Sequence, residues 1–376
     1  MKIYGKGAIH DVLGDLVVYR SLTPADDRLP RFMGIASEIG FDADYPPRKS
    51  EMTYGVAVSR LLRLARKLEA PGAPIRRIFY IGDTQMNDGL AFESICHAGQ
   101  WPGIAFIGCE TAEPARLDIE RHGERSLALS NRWSALRDIE TVAWRLGFAI
   151  DEHTAVVIDL DKTALGARGR NDAVIDQARI NAAQRTVGSL LGDGFDVEAF
   201  RAAYARLNQP EHHPFTADNQ DYLVYACLIL NTGFISLDAL LSRIRKGTLV
   251  RFDQFLEEVD NRVSRLPEDV RTLHRRFHER LNRRDPTPFK TFRRYEYLET
   301  EGRMGSLPDG APIESLMQQE ITMTEEVRDV AARWRELGAL LFGLSDKPDE
   351  ACYPTDEQAA AGLLPLHRMV THIVGE

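Results

Sequence analysis

The chain has 376 residues, 44% of them apolar and 27% charged, which is ordinary globular composition and enough length for two or three folding units. Its formal charge of −9 leaves no global basic field for bulk nucleic-acid binding, and no run of about 18 apolar residues is present to cross a membrane. Cys96, Cys109, Cys227 and Cys352 form no CxxC pair, and Met1–Asp15 lacks an apolar leader core, so free thiols in a reducing, cytoplasmic compartment are expected rather than a zinc ribbon or a disulfide framework.

Residues 1–164 alternate between helix and strand patterns. Leu16–Arg20 has strand character, and nothing else in 1–45 suggests a role. Tyr54–Leu68 carries Val58, Leu61, Leu62, Ala65 and Leu68 at helical spacing, and Glu69-Ala-Pro-Gly-Ala-Pro74 then breaks the helix. Arg77–Ile81, Gly103–Gly108 and Ala155–Ile158 read as short buried strands, with a helix over Trp133–Leu146 between the last two. Strands separated by helices predict an α/β fold with a doubly wound parallel sheet. Residues 165–320 have almost no strand signal. Val197, Phe200, Tyr204 and Leu207 mark one amphipathic helix, Leu237, Leu240, Leu241 and Ile244 a second, and Phe252, Phe255, Val259 and Val263 a third. A mostly helical domain is expected there. Residues 321–376 return to α/β texture. Thr322 and Glu325 have capping-box spacing before a helix lined by Val327, Val330, Trp334 and Leu337, which Gly338 ends. Strands over Ala339–Leu344 and Arg368–Val374 close the chain.

Three of the strands run straight into polar motifs. Asp159-Leu-Asp-Lys-Thr163 follows Ala155–Ile158. In an open parallel sheet, ligands bind beyond the carboxyl ends of the strands. Two carboxylates two residues apart there suit a nucleophile and a general acid/base, and their oxygens suit a hard cation, Mg²⁺ first among them. Gly82-Asp-Thr-Gln-Met-Asn-Asp88 follows Arg77–Ile81, and Asp83 and Asp88 can add carboxylates to the same cation. Ser345, in Ser-Asp-Lys-Pro348, follows Ala339–Leu344. Its hydroxyl and the turn amides can hold a phosphoryl oxygen; a plain serine turn before proline reads equally well. Lys49, in Pro-Pro-Arg-Lys-Ser50, precedes the Tyr54–Leu68 helix and can neutralise a phosphate. Lys347, two residues from Ser345, is its rival.

Together these motifs resemble the haloacid dehalogenase-like (HAD) phosphohydrolase superfamily. That family has DxDxT after its first core strand, Ser or Thr after its second, Lys before a helix, and GDxxxD or GDxxxxD after a later strand. Here the order is Lys49, then Asp83 and Asp88, then Asp159 and Asp161, then Ser345. A circular permutation would produce it, with the cut between the third strand and the lysine helix and the old ends joined through about residues 109–154. Gly89–Gly99 and the strand after it are similar to the helix–strand unit that follows GDxxxxD in the family.

The resemblance implies a Rossmannoid core in 1–164 and 321–376, with residues 165–320 inserted where the family carries a C1-type cap. It implies that Asp159 attacks phosphorus, that Asp161 protonates the leaving oxygen and then activates water, and that Thr163 supports the loop. Ser345 would bind the phosphoryl group, and Lys49 would balance charge. Asp83, Asp88, Asp159 and the Asp161 carbonyl would surround Mg²⁺. The implied activity is Mg²⁺-dependent hydrolysis of a small phosphorylated metabolite. A phosphotransferase or mutase on the same core, a non-catalytic phospho-ligand-binding protein and a nucleic-acid-processing phosphatase are the alternatives; nucleic acid is disfavoured by the acidic remainder of the chain.

One stretch of the insert is unusual. Arg265–Arg294 holds ten Lys or Arg against four Asp or Glu. Lys290, Arg293 and Arg294, interleaved with aromatics, are candidates for binding a second anionic group of the substrate, as is Lys347 near the phosphate. A solvated helix face over about 267–284 is the plainer explanation of the run.

Overall fold

A computed structural model describes residues 1–376. Its ten strands are β1 (Lys2–Gly7), β2 (Val17–Val18), β3 (Arg77–Gly82), β4 (Gly103–Gly108), β5 (Leu117–His122), β6 (Arg125–Ser130), β7 (Thr154–Asp159), β8 (Met323–Thr324), β9 (Leu340–Leu344) and β10 (Thr371–Gly375). The chain divides into two compact units, Met1–Gln177 with Thr300–Glu376, and Ala178–Glu299. No helix is long and apolar enough to cross a membrane.

The first unit is α/β. Its seven-stranded sheet has the order β2-β9-β7-β3-β4-β6-β5, parallel throughout except for the antiparallel edge strand β5. β3, β4 and β7 read RIFYIG, GIAFIG and TAVVID, and nearly every position is buried. Continuous apolar runs of this kind belong to strands covered on both faces. Along β3 the side chains alternate between two layers. Ile78 and Tyr80 join the core made with Leu61, Leu62, Phe92 and Ile95 from the helices Met52–Glu69 and Leu90–Gly99. Phe79 faces the other way and meets Trp334 of the helix Glu325–Glu336, with ring centroids 4.6 Å apart in an edge-to-face arrangement.

Three features differ from the sequence reading. The stretch after β4 is more than a joining segment, because β5 and β6 form a hairpin that extends the sheet. The C-terminal strand starts later than expected and leaves the main sheet. It pairs antiparallel with β1 and parallel with β8 in a separate three-stranded sheet. The expected capping box is absent: the helix begins after Thr324 without a side-chain cap, and Thr322 instead donates from its amide and hydroxyl to Asn171 Oδ1 at 2.9 and 3.1 Å.

The second unit is helical and narrower than 165–320. Residues 165–177 and 300–320 belong with the sheet because their polar groups are satisfied there. Asn171 Nδ2 donates to the Met317 and Glu320 carbonyls, both at 3.0 Å, and Arg170, whose side chain is 2% exposed, is bidentate to Glu110 and Glu326. Within the unit, Phe200, Tyr204 and Leu207, Leu240 and Leu241, and Phe252, Phe255 and Val259 enter one apolar core, as their spacing predicts.

Candidate active site at the carboxyl ends of the central strands

β7 lies between β9 and β3. Asp159, its last residue, is level with Leu344, and Ile158 is level with Ile81. Ser345 and Asp83 are therefore the first residues beyond two neighbouring strands, and Asp159 stands between them. Three motifs that are distant in the chain meet at one edge of the sheet because their strands are adjacent and parallel.

Asp83, Asp88 and Asp159 are all buried, and each offers a carboxylate oxygen within 4.8 Å of the other two. The loop after β3 holds Asp88 through local bonds. Asp88 Oδ2 accepts from the Asp83 amide at 3.1 Å, the Thr84 amide at 3.0 Å and the Thr84 hydroxyl at 3.2 Å. Its Oδ1 accepts from the Tyr80 hydroxyl at 3.0 Å and from Lys49 Nζ at 2.9 Å. Five donors on two oxygens make Asp88 the organiser of the loop, while Asp83 and Asp159 keep more of their capacity to accept. Gly82 is required by this closeness, since a Cβ there would lie 2.5 Å from Asp88 Cβ.

Lys49 is buried and also donates to Asp159, so it bridges two carboxylates from different strands' ends. Lys347 goes elsewhere: its Nζ lies 3.4 Å from Asp161 Oδ1, and its amide donates to Ser345 Oγ at 3.2 Å. The Ser345 amide donates to the Val18 carbonyl of β2 at 3.0 Å. The turn after Asp159 is tight. Lys162 sits in the left-handed region with φ +65°, and the Ala164 amide donates to the Asp159 carbonyl at 3.3 Å. Thr163 is fully buried; its carbonyl accepts from the Thr324 hydroxyl, whereas its own hydroxyl has no partner.

The crowding has electrostatic consequences. Burial pushes Asp159 well above the usual carboxylate range, and the Asp88 and Asp83 charges push the same way against the pull of Lys49. Burial and then Asp88 raise Asp83 to about 7, although Arg168 opposes them. Burial alone would raise Asp88 too, but Lys49 and its hydrogen bonds hold it below the ordinary value. Burial would lower Lys49, and the Asp159 and Asp88 charges more than offset it, leaving the ammonium well above its usual range. Three acids with one lysine and one arginine among them carry more negative charge than the dry site tolerates. The donor set is all oxygen, and a hard divalent cation fits both its chemistry and its charge deficit.

Sequence reasoning missed Arg168, whose Nε donates to Asp83 Oδ2, and the loop-holding Tyr80 and Thr84. Arg168 had no signal, since nothing in its neighbourhood repeats a motif. Tyr80 had one: a tyrosine inside an otherwise apolar buried strand needs a partner for its hydroxyl.

The basic candidates of the insert have other work. Arg293 is buried in the helical unit, where it donates to Asp221 Oδ2 at 2.7 and 3.0 Å and to Glu296 Oε2 at 2.6 Å. This corrects its expected role in substrate binding, because its guanidinium is already committed to two buried carboxylates. Lys290 bonds Asp285 Oδ1 at 3.1 Å and Thr287 Oγ1 at 2.8 Å, and Arg294 is half-buried on the same helix. Arg275, Arg276, Arg283 and Arg284 are exposed along and just after the helix Glu268–Asn282, which is the solvated face.

Comparison with known proteins finds no match among family models, curated proteins or solved structures.

Proposed function

We propose that the chain is a Mg²⁺-dependent phosphohydrolase of the HAD type with a circularly permuted core, acting on a small phosphorylated metabolite. One observation carries this reading. Asp159, Asp83, Asp88, Lys49 and Ser345, from four separate segments of the chain, come together at the carboxyl ends of three adjacent strands and the start of one helix. A permuted core accounts for that convergence, because it preserves which strands are neighbours while changing their order in the chain.

The chemistry follows from the positions. Asp159 attacks phosphorus, and the bond from phosphorus to the substrate oxygen breaks as an aspartyl-phosphate forms. Asp161 gives its proton to the departing oxygen, then takes one from the water that hydrolyses the aspartyl-phosphate. Phosphate leaves, and the Asp159 carboxylate is restored. Lys49 stabilises the ionised nucleophile and the charge on the phosphoryl oxygens, and the Ser345 hydroxyl orients that group. Asp83 and Asp159, with the Asp161 carbonyl as the resemblance implies, would hold Mg²⁺, which supplies further charge neutralisation. Asp88 acts through Lys49 and the loop, as a positioning residue.

The test is phosphate release from a panel of phosphorylated metabolites with Mg²⁺ and with EDTA. Asp161→Asn should cost about 10²–10⁴-fold in rate, the usual worth of a general acid/base. Unchanged turnover in that variant would remove Asp161 from the mechanism.

A further inference from the structure

The helix Glu268–Asn282 contains His274-Arg-Arg-Phe-His278. A spacing of four residues places both imidazoles on one helix face, and their ring centroids are 5.8 Å apart. The helix Phe252–Asn261 brings Asp260 to the same place. Asp260 Oδ1 lies 3.1 Å from His274 Nε2 and 3.6 Å from His278 Nδ1, and the three residues offer ligand atoms within 4.8 Å of one another. Zinc bonds of about 2.0–2.1 Å in a tetrahedron set neighbouring ligand atoms roughly 3.3 Å apart. The two Asp260 separations bracket that value.

The second observation is how His274 is held. Its ring is fully buried, and Nδ1 meets the Tyr225 hydroxyl at 2.6 Å. Metal-ligating histidines generally have the other ring nitrogen engaged in this way, which fixes the ring's orientation. The other nitrogen of His274, Nε2, faces Asp260 Oδ1 at 3.1 Å, where a bound ion would take the place of the ring proton. Asp260 and His278 are partly exposed, so an ion can enter from solvent. A purely structural Tyr225–His274–Asp260 relay would explain two of the three contacts. The relay does not use His278, whose Nδ1 approaches the same Asp260 oxygen at 3.6 Å.

We propose that Asp260, His274 and His278 form a transition-metal site, with Tyr225 orienting the buried imidazole and a fourth position left for water. Two imidazoles and one carboxylate select Zn²⁺, Co²⁺ or Ni²⁺ over Mg²⁺. The bound ion clamps the helix Phe252–Asn261 to Glu268–Asn282, and the site is independent of the carboxylate cluster on the sheet.

Co²⁺ titrated into the full chain tests this through its visible ligand-field absorption. The expected result is one Co²⁺ with the intense bands of a four-coordinate, nitrogen-containing site. The bands should persist in Asp159→Asn, disappear in His278→Ala, and require about 10–100-fold more Co²⁺ in Tyr225→Phe. Zn²⁺ should raise the Tm of the unsubstituted chain and of Asp159→Asn, but not that of His278→Ala. His278 is half-buried at the surface of its helix, and circular dichroism of the variant establishes that the helix remains. An unchanged spectrum and affinity in His278→Ala would overturn the proposal, as would a wild-type chain giving only the weak bands of an all-oxygen site.

Discussion

Lys49 holds two carboxylates that would otherwise repel each other inside the protein. Removing one member of a buried ion pair leaves uncompensated charge, so Lys49→Ala should lose about 3–5 kcal/mol of stability in urea unfolding as well as activity. Tyr80→Phe removes a bond to charged Asp88 and should cost about 1.5–3 kcal/mol by the same measurement. Asp83 makes a pH prediction. Its carboxyl is raised from 3.8 to about 7 in the folded chain, so the native state binds more protons than the unfolded state across that window. Its contribution to stability therefore falls as the pH rises from about 4 to 7. A cation relieves that penalty only where Asp83 is ionised, so Mg²⁺ should raise Tm more at pH 8 than at pH 6; equal increments would exclude Asp83 as a ligand. At this scale the residues legible in the sequence are those that directly follow a buried strand or precede a strongly periodic helix. Arg293 was misread because a charge run shows cations but not their partners, and Asp221 lies on a different helix.

The elements position these side chains through close packing. The helices Met52–Glu69 and Leu90–Gly99 flank Lys49 and the Asp88 loop, and they approach closely at Gly55, where a Cβ would lie 2.2 Å from the Ser94 carbonyl oxygen. Gly55→Ala should force the helices apart, costing about 1–3 kcal/mol and weakening Mg²⁺ binding measured by calorimetry. A variant with unaltered stability and metal affinity would uncouple helix packing from the site. The buried strands are legible because they are short, continuous and apolar. β5 is not: it reads LDIERH, is mostly exposed and pairs on only one side, so it has the composition of a loop. β10 is legible as a strand but not as part of a separate sheet, because its partner β1 lies at the other end of the chain and its partner β8 is only two residues long.

At the scale of the molecule, alternation of strands and helices suffices to predict an α/β core, and unbroken helical periodicity suffices to predict a second, helical region. The unit boundaries do not follow from periodicity. They depend on where buried polar groups such as Asn171 and Arg170 find partners, and those partners are distant in the chain. The order of motifs is also a whole-molecule property. Lys49 precedes the strand to Asp83, and Asp159 precedes the long helical insert and Ser345, yet the folded sheet sets their strands side by side. The proposed activity depends on that juxtaposition more than on any single motif. Phosphate release by the wild-type chain and by Asp159→Asn, each with Mg²⁺ and with EDTA, tests it most directly. The account predicts release that needs both Mg²⁺ and Asp159, with the variant folded and inactive. Release that survives in folded Asp159→Asn, or in EDTA, would contradict it.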